Sequence, residues 1–138
     1  MKKCLVDSGP LVALFNKGDK FHKETVNILK KEKIQLFSTW PVITEVSYLL
    51  SANNKIVLDF ISWIYSGGLQ LFEITIFDLK RIMNLIEKYS DLPTDFADAS
   101  LVSISEREDI KNIFSFDSDF YVYKREKEPF TLIWKNNK

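Results

Sequence analysis

Short apolar runs alternate along the chain with longer segments whose apolar residues recur every three to four positions, and this alternation restricts the fold more than any other feature. Runs at residues 4–6, 34–38, 69–74, 110–116 and 130–134 have strand length and are bounded by turn residues. Helical spacing covers residues 11–15, 19–33, 39–53, 57–65, 77–89 and 94–107. A parallel neighbour is reached only through a crossover, so strands separated by helices predict an α/β fold with a mainly parallel central sheet flanked by helices. The run at 130–134 is expected at a sheet edge.

Local signals agree with this reading. Pro10 and Pro41 fall in first helical turns, where a missing N–H does no harm. Thr94 is the expected cap of the 94–107 helix, and Gly67-Gly68 closes the 57–65 helix. Inward stripes are expected at Phe21, Val26, Ile28 and Leu29, at Leu79, Ile82, Met83, Leu85 and Ile86, and at Phe96, Ala97, Leu101, Val102 and Ile104.

A chain of 138 residues, 46% hydrophobic and 28% charged, is expected to form one domain over 1–138 and is far from a disordered composition. Its 19 basic and 19 acidic residues cancel, so nucleic-acid contact must come from local patches or bound cations. The lone Cys4, expected as a small buried strand residue, cannot form an intrachain disulfide, which fits a reducing cytoplasm. Asp7 and Pro10 interrupt the first apolar stretch before a signal segment is complete. No run approaches the roughly 20 apolar residues of a membrane span.

The acids carry the chemistry. Asp7 and Asp117 each follow a strand, where parallel sheets place their ligand sites, although an Asp before a helix also serves as a cap. Glu45 is the sole charged residue between Lys33 and Lys55. Asp95 and Asp98 share a helix face, and as first-turn acids they also suit the helix dipole. Asp117 and Asp119 form a D-x-D turn that fails as a calcium loop, since Tyr121 and Val122 stand where an oxygen ligand and a glycine are required. Brought to one edge, unpaired carboxylates repel unless cations intervene. Oxygen ligands without Cys or His suit Mg²⁺ or Mn²⁺ rather than zinc. Ions so held activate water and orient a phosphodiester, and His22, in a lysine-rich helix, is expected to be solvated rather than catalytic.

Val6-Asp7-Ser8, Thr44-Glu45-Val46, the block from Leu92 to Val102 and the block from Phe114 to Phe120 resemble, in order, the acidic blocks of PIN-domain proteins, most of all the VapC-type toxins. The match runs over about residues 3–123, and its A-D-A-S-L-V and D-x-D-F blocks are the specific ones. The resemblance implies Asp7, Glu45, Asp98 and Asp117 as catalytic metal-binding acids, with Asp119 a supporting ligand or substitute, and Asp95, on the helix face of Asp98, is expected to support the site. Ser8 and Ser115 stand where the family carries a hydroxyl, commonly threonine at the latter. It also implies endonucleolytic cleavage of RNA, dependence on Mg²⁺ or Mn²⁺, a homodimer, and a protein antitoxin.

Two other readings of the residues stand beside this one. A phosphatase or phosphotransfer domain also places Asp after its first strand, but the dehalogenase type expects a second Asp where this chain has Gly9. In a non-catalytic binding module the acids would be caps and solvated turns. Lys17, Lys20 and Arg125 are candidate RNA contacts around the mouth of the site, and Trp40, Trp63 and Tyr65 candidate contacts for a dimer or antitoxin.

Overall fold

The computed structural model describes residues 1–125 and 128–134. Its elements, in chain order, are β1 (Lys2–Val6), α1 (Ser8–Phe15), α2 (His22–Lys31), β2 (Ile34–Thr39), α3 (Trp40–Leu49), α4 (Asn54–Tyr65), β3 (Gln70–Phe72), α5 (Leu79–Lys88), α6 (Phe96–Arg107), β4 (Asn112–Phe114) and β5 (Thr131–Leu132). Short 3₁₀ turns at Ile76–Asp78 and Ser118–Tyr121 precede α5 and follow β4. The strands form one parallel sheet in the order β3-β2-β1-β4-β5, as the alternation of strands and helices predicts.

This order follows from how the chain winds. From β1 it steps outward through β2 to β3, then returns across the sheet to place β4 on the other flank of β1. The direction of winding therefore reverses between β1 and β4, and the crevice at their carboxyl ends is where such sheets bind ligands. Pairing of Leu5 with Phe37 on one side and Ile113 on the other sets β1 at the centre. Cys4, Leu5 and Val6 are accordingly sealed from solvent, with Ile113 and Phe114 beside them.

Helix α6 is the buried helix of the fold. Every residue from Ala97 to Ser105 is buried, which its small side chains permit by letting neighbours approach on all sides. Its buried hydroxyls find local acceptors: Ser100 Oγ donates to Ala97 O at 2.7 Å and Ser105 Oγ to Val102 O at 2.6 Å. Thr39 at the end of β2 meets Ser100 at 2.7 Å, tying α6 to the sheet. Helix α4 ends as Gly67-Gly68 predicts: Gly67 adopts φ 94°, and a Cβ on Gly68 would fall inside the Trp63 ring.

Several expectations are corrected. The cap of α6 is Asp95, whose carboxylate accepts the Asp98 N–H at 2.8 Å, while the Thr94 hydroxyl turns to Tyr89 O. Helix α1 begins at Ser8, three residues before the apolar pattern suggests, and α2 spans only His22–Lys31 because Asp19 folds its own turn by accepting the Phe21 N–H at 2.8 Å. Strands expected at 69–74, 110–116 and 130–134 pair over only two or three residues each, since a strand lasts only as far as its neighbour offers partners. Met83, Ile86 and Phe96 point outward, at 67%, 37% and 43% exposure. His22 is not solvated: it is half-buried, with Nδ1 at 2.7 Å from Ala13 O, and so ties α2 to α1. The polar tail at 135–138 lies outside the described residues. No helix among those described is long and apolar enough to cross a membrane.

Candidate carboxylate site

Asp7, Asp98 and Asp117 each offer a carboxylate oxygen, and these atoms lie within 4.8 Å of one another. Three separate elements deliver them. Asp7 leaves the central strand where its N–H bonds Phe114 O at 3.0 Å, so the ends of β1 and β4 are held together. Asp98 stands in the first turn of α6, which the Asp95 cap fixes in place. Asp117 closes the group from the turn after β4, where its side chain accepts the Asp119 N–H at 2.9 Å.

Ser115 is the hinge pin of the cluster. Its hydroxyl donates to Asp7 Oδ2 at 2.9 Å and accepts the Asp117 N–H at 2.9 Å, so one buried side chain sets two of the three acids. The capping alternative for Asp7 fails here, because Asp7 makes no side-chain cap on α1. Its Oδ1 is buried and has no hydrogen-bond partner among the described residues. An orphaned carboxylate oxygen beside two further carboxylates is costly unless a cation or proton joins it.

The electrostatics carry that cost. Burial raises the Asp7 carboxyl to about 6; the Ser8 N–H and Ser115 hydroxyl lower it part of the way, and Glu45 and Asp117 push it up again. Asp98 rises to about 8, first through burial and then through Asp7, Asp95 and Asp117, with the Tyr123 hydroxyl opposing. Glu45, half-buried on α3, is raised by burial and by Asp95, while Ser8 stabilises its charged form. Asp119 is raised by slight burial and by Asp117. Glu45 and Asp95 thus form an outer pair beside the tight triad, with Ser8 facing Glu45, and Asp119 borders Asp117.

These residues fit a hard divalent cation. The donors are all carboxylate oxygens, an unpartnered one is buried among them, and neither His nor Cys joins the group.

Other candidate positions fall elsewhere. Arg125 is not at the mouth: it is buried and bonded to Asp109, Glu128 and Ser105 O. Ser105 is seven residues beyond Asp98 on α6, about 10 Å along its axis at 1.5 Å per residue. Lys17 is exposed beyond the far end of α1. Lys20 is exposed and lies over the Phe21 ring, which stacks on Phe116 next to Asp117. Trp63 packs against Phe15 and Phe60, whereas Trp40 and Tyr65 stay open at 48% and 93% exposure.

Sequence reasoning missed Tyr123. It lies in the segment after the D-x-D turn, is fully buried, and donates to Asp98 Oδ2 at 3.2 Å. No periodicity or motif marks it.

A parallel sheet whose switch point gathers carboxylates from two strand ends and a buried helix defines an acid-centred α/β domain. More narrowly, the chain belongs to the PIN domain family, whose model matches residues 4–126. Solved structures of similar fold include VapC20 from Mycobacterium tuberculosis, a toxin that cleaves the sarcin–ricin loop, at 18% identity and TM-score 0.79, covering 86% of this chain and 93% of that one. Also similar is VapBC2 from Rickettsia felis bound to a DNA fragment of its promoter, at 14% identity and TM-score 0.66, covering 96% and 99%. A toxin–antitoxin complex from Klebsiella pneumoniae follows at 17% identity and TM-score 0.63, covering 85% and 89%. No curated protein sequence matches at significance.

Proposed function

We propose that the protein is a metal-dependent endoribonuclease that acts as the toxin of a toxin–antitoxin pair. The observation that carries this reading is the convergence of Asp7, Asp98 and Asp117, with a buried Asp7 oxygen left unpartnered, inside a PIN domain. Asp7, Asp98 and Asp117 would hold Mg²⁺ or Mn²⁺. Glu45 completes the site from α3, directly or through water, with Asp119 a further ligand and Asp95 supporting. Such an ion supplies Lewis acidity toward a phosphoryl oxygen and makes a water nucleophilic near neutral pH.

The chain's own residues do the positioning. Ser115 keeps Asp7 aimed into the cluster, and Ser8 faces Glu45. The Asp95 cap holds the first turn of α6, and with it Asp98. The reaction is hydrolysis of a phosphodiester: water adds to phosphorus and the bond to the leaving ribose oxygen breaks. With a net charge of zero, RNA affinity falls to local groups such as Lys20 and to the bound cation.

The antitoxin and a second copy of the chain are the protein partners of this reading, acting in the cytoplasm. Exposed apolar side chains on α3 and α4, among them Tyr48, Leu49, Leu58 and Tyr65, supply surface for such partners. The test is cleavage of labelled RNA by wild type and Asp98→Asn in Mn²⁺, Mg²⁺ and chelator. Cleavage should require metal and fall at least about 100-fold in the variant, the scale of losing a principal electrostatic contributor. Equal cleavage by both proteins would remove Asp98 from the site, and cleavage in chelator would remove the metal.

A further inference from the structure

Tyr123 is buried in a place where nothing apolar required a hydroxyl. Its ring packs edge-on against Tyr89 at 5.2 Å and Phe120 at 5.1 Å, contacts that phenylalanine would make equally well. The hydroxyl instead bridges two polar groups: Asp98 Oδ2 at 3.2 Å and Thr94 Oγ1 at 3.0 Å. Thr94 in turn contacts Tyr89 O at 3.3 Å. On the other side, the Tyr123 N–H bonds Asp119 O at 2.9 Å, and the next N–H, of Lys124, bonds the Tyr89 hydroxyl at 3.0 Å. Tyr123 therefore touches the loop before α6, the acid in its first turn, and the D-x-D turn after β4.

We propose that Tyr123 is a positioning residue for the metal site: its hydroxyl, steadied by Thr94, fixes the Asp98 carboxylate toward Asp7 and Asp117, and its backbone anchors the turn that carries Asp117. Asp98 has no other side-chain hydrogen bond among the described residues, so without Tyr123 only packing sets its rotamer. A carboxylate held by a second oxygen-bound group presents its free oxygen in one direction, which is how outer partners raise the affinity of a metal site. The inference rests on the reading that these carboxylates hold a divalent ion.

The experiment measures Mn²⁺ affinity by calorimetry and electron paramagnetic resonance on wild type, Tyr123→Phe, Thr94→Val, Thr94→Ser and Asp98→Asn. Melting temperatures in chelator are recorded for each. Tyr123→Phe should bind Mn²⁺ about tenfold more weakly or worse, with a Mn²⁺ spectrum broadened relative to wild type. RNA cleavage by the same variant should recover when Mn²⁺ is raised in proportion, and a melting temperature in chelator close to wild type separates weakened coordination from a loosened fold, which Mn²⁺ would also rescue. Thr94→Val should weaken binding in the same direction, and Thr94→Ser should restore it.

Wild-type affinity in Tyr123→Phe overturns the proposal while leaving the metal site intact. If Tyr123→Phe does not fold, the threonine pair decides: a difference between Val and Ser supports the proposal, and equal affinities overturn it. Failure of wild type itself to bind Mn²⁺ overturns the metal reading and this inference with it. Loss of binding in Asp98→Asn alone, with Tyr123→Phe unchanged, separates the two.

Discussion

Replacing Asp7 by asparagine should make the metal-free protein more stable, by an amount set by pH. The Asp7 carboxyl is raised from 3.8 to about 6, chiefly by burial, so keeping it charged in the fold costs about 3 kcal/mol. Asparagine keeps an oxygen to accept the Ser115 hydroxyl and places a neutral amide where the unpartnered Oδ1 now lies. It also removes one of the charges that raise Asp98. Against this stands the cost of burying the amide, so the expected net gain is about 1–3 kcal/mol, or about 4–12 °C in Tm for a chain of this size.

The sign follows from where the group titrates. Below about pH 4, near the unfolded value of 3.8, the carboxyl is neutral in both states, and variant and wild type should melt together. Between that value and about 6 the folded wild type loses stability progressively, and above it the full penalty stands. Differential scanning calorimetry in chelator at pH 4.5, 6 and 8 reads this directly. A variant that melts at or below wild type at pH 8, or a gap of equal size at every pH, would refute the reasoning.

Saturating Mn²⁺ should reverse that order. At about 1,000 times the dissociation constant it adds about 4.1 kcal/mol to the wild type, more than the variant gains, and the rise in Tm should vanish in Asp98→Asn. Substituting Arg125→Ala should cost about 2–3 kcal/mol in urea unfolding, because Ser105 O loses its charged donor and a buried stem is deleted, while RNA cleavage per folded molecule stays unchanged. Gly68→Ala should cost about 1–3 kcal/mol and shift tryptophan fluorescence, since the new methyl displaces the Trp63 ring.

The acids were legible because their positions are local facts. Asp7 and Asp117 directly follow strand-like runs, and Asp98 lies near the start of a helix, so a parallel sheet alone suffices to bring their segments to one edge. Asp95 had both a supporting role and a helix-terminal role open to it, and the structure gives it the cap of α6. Arg125 was misjudged because a cation in a polar stretch resembles solvated charge. Its burial depends on Asp109, Glu128 and a carbonyl at the far end of α6.

Periodicity and turn chemistry sufficed for the parallel α/β architecture, since the spacing of apolar residues records which faces must be buried. Strand extent, the orphaned Asp7 oxygen, the Ser115 clasp and the Tyr123 contact to Asp98 came only from the folded chain. Each depends on two or more segments arriving together, 108 positions apart for Ser115 and Asp7, and no local pattern encodes the orientation in which they meet.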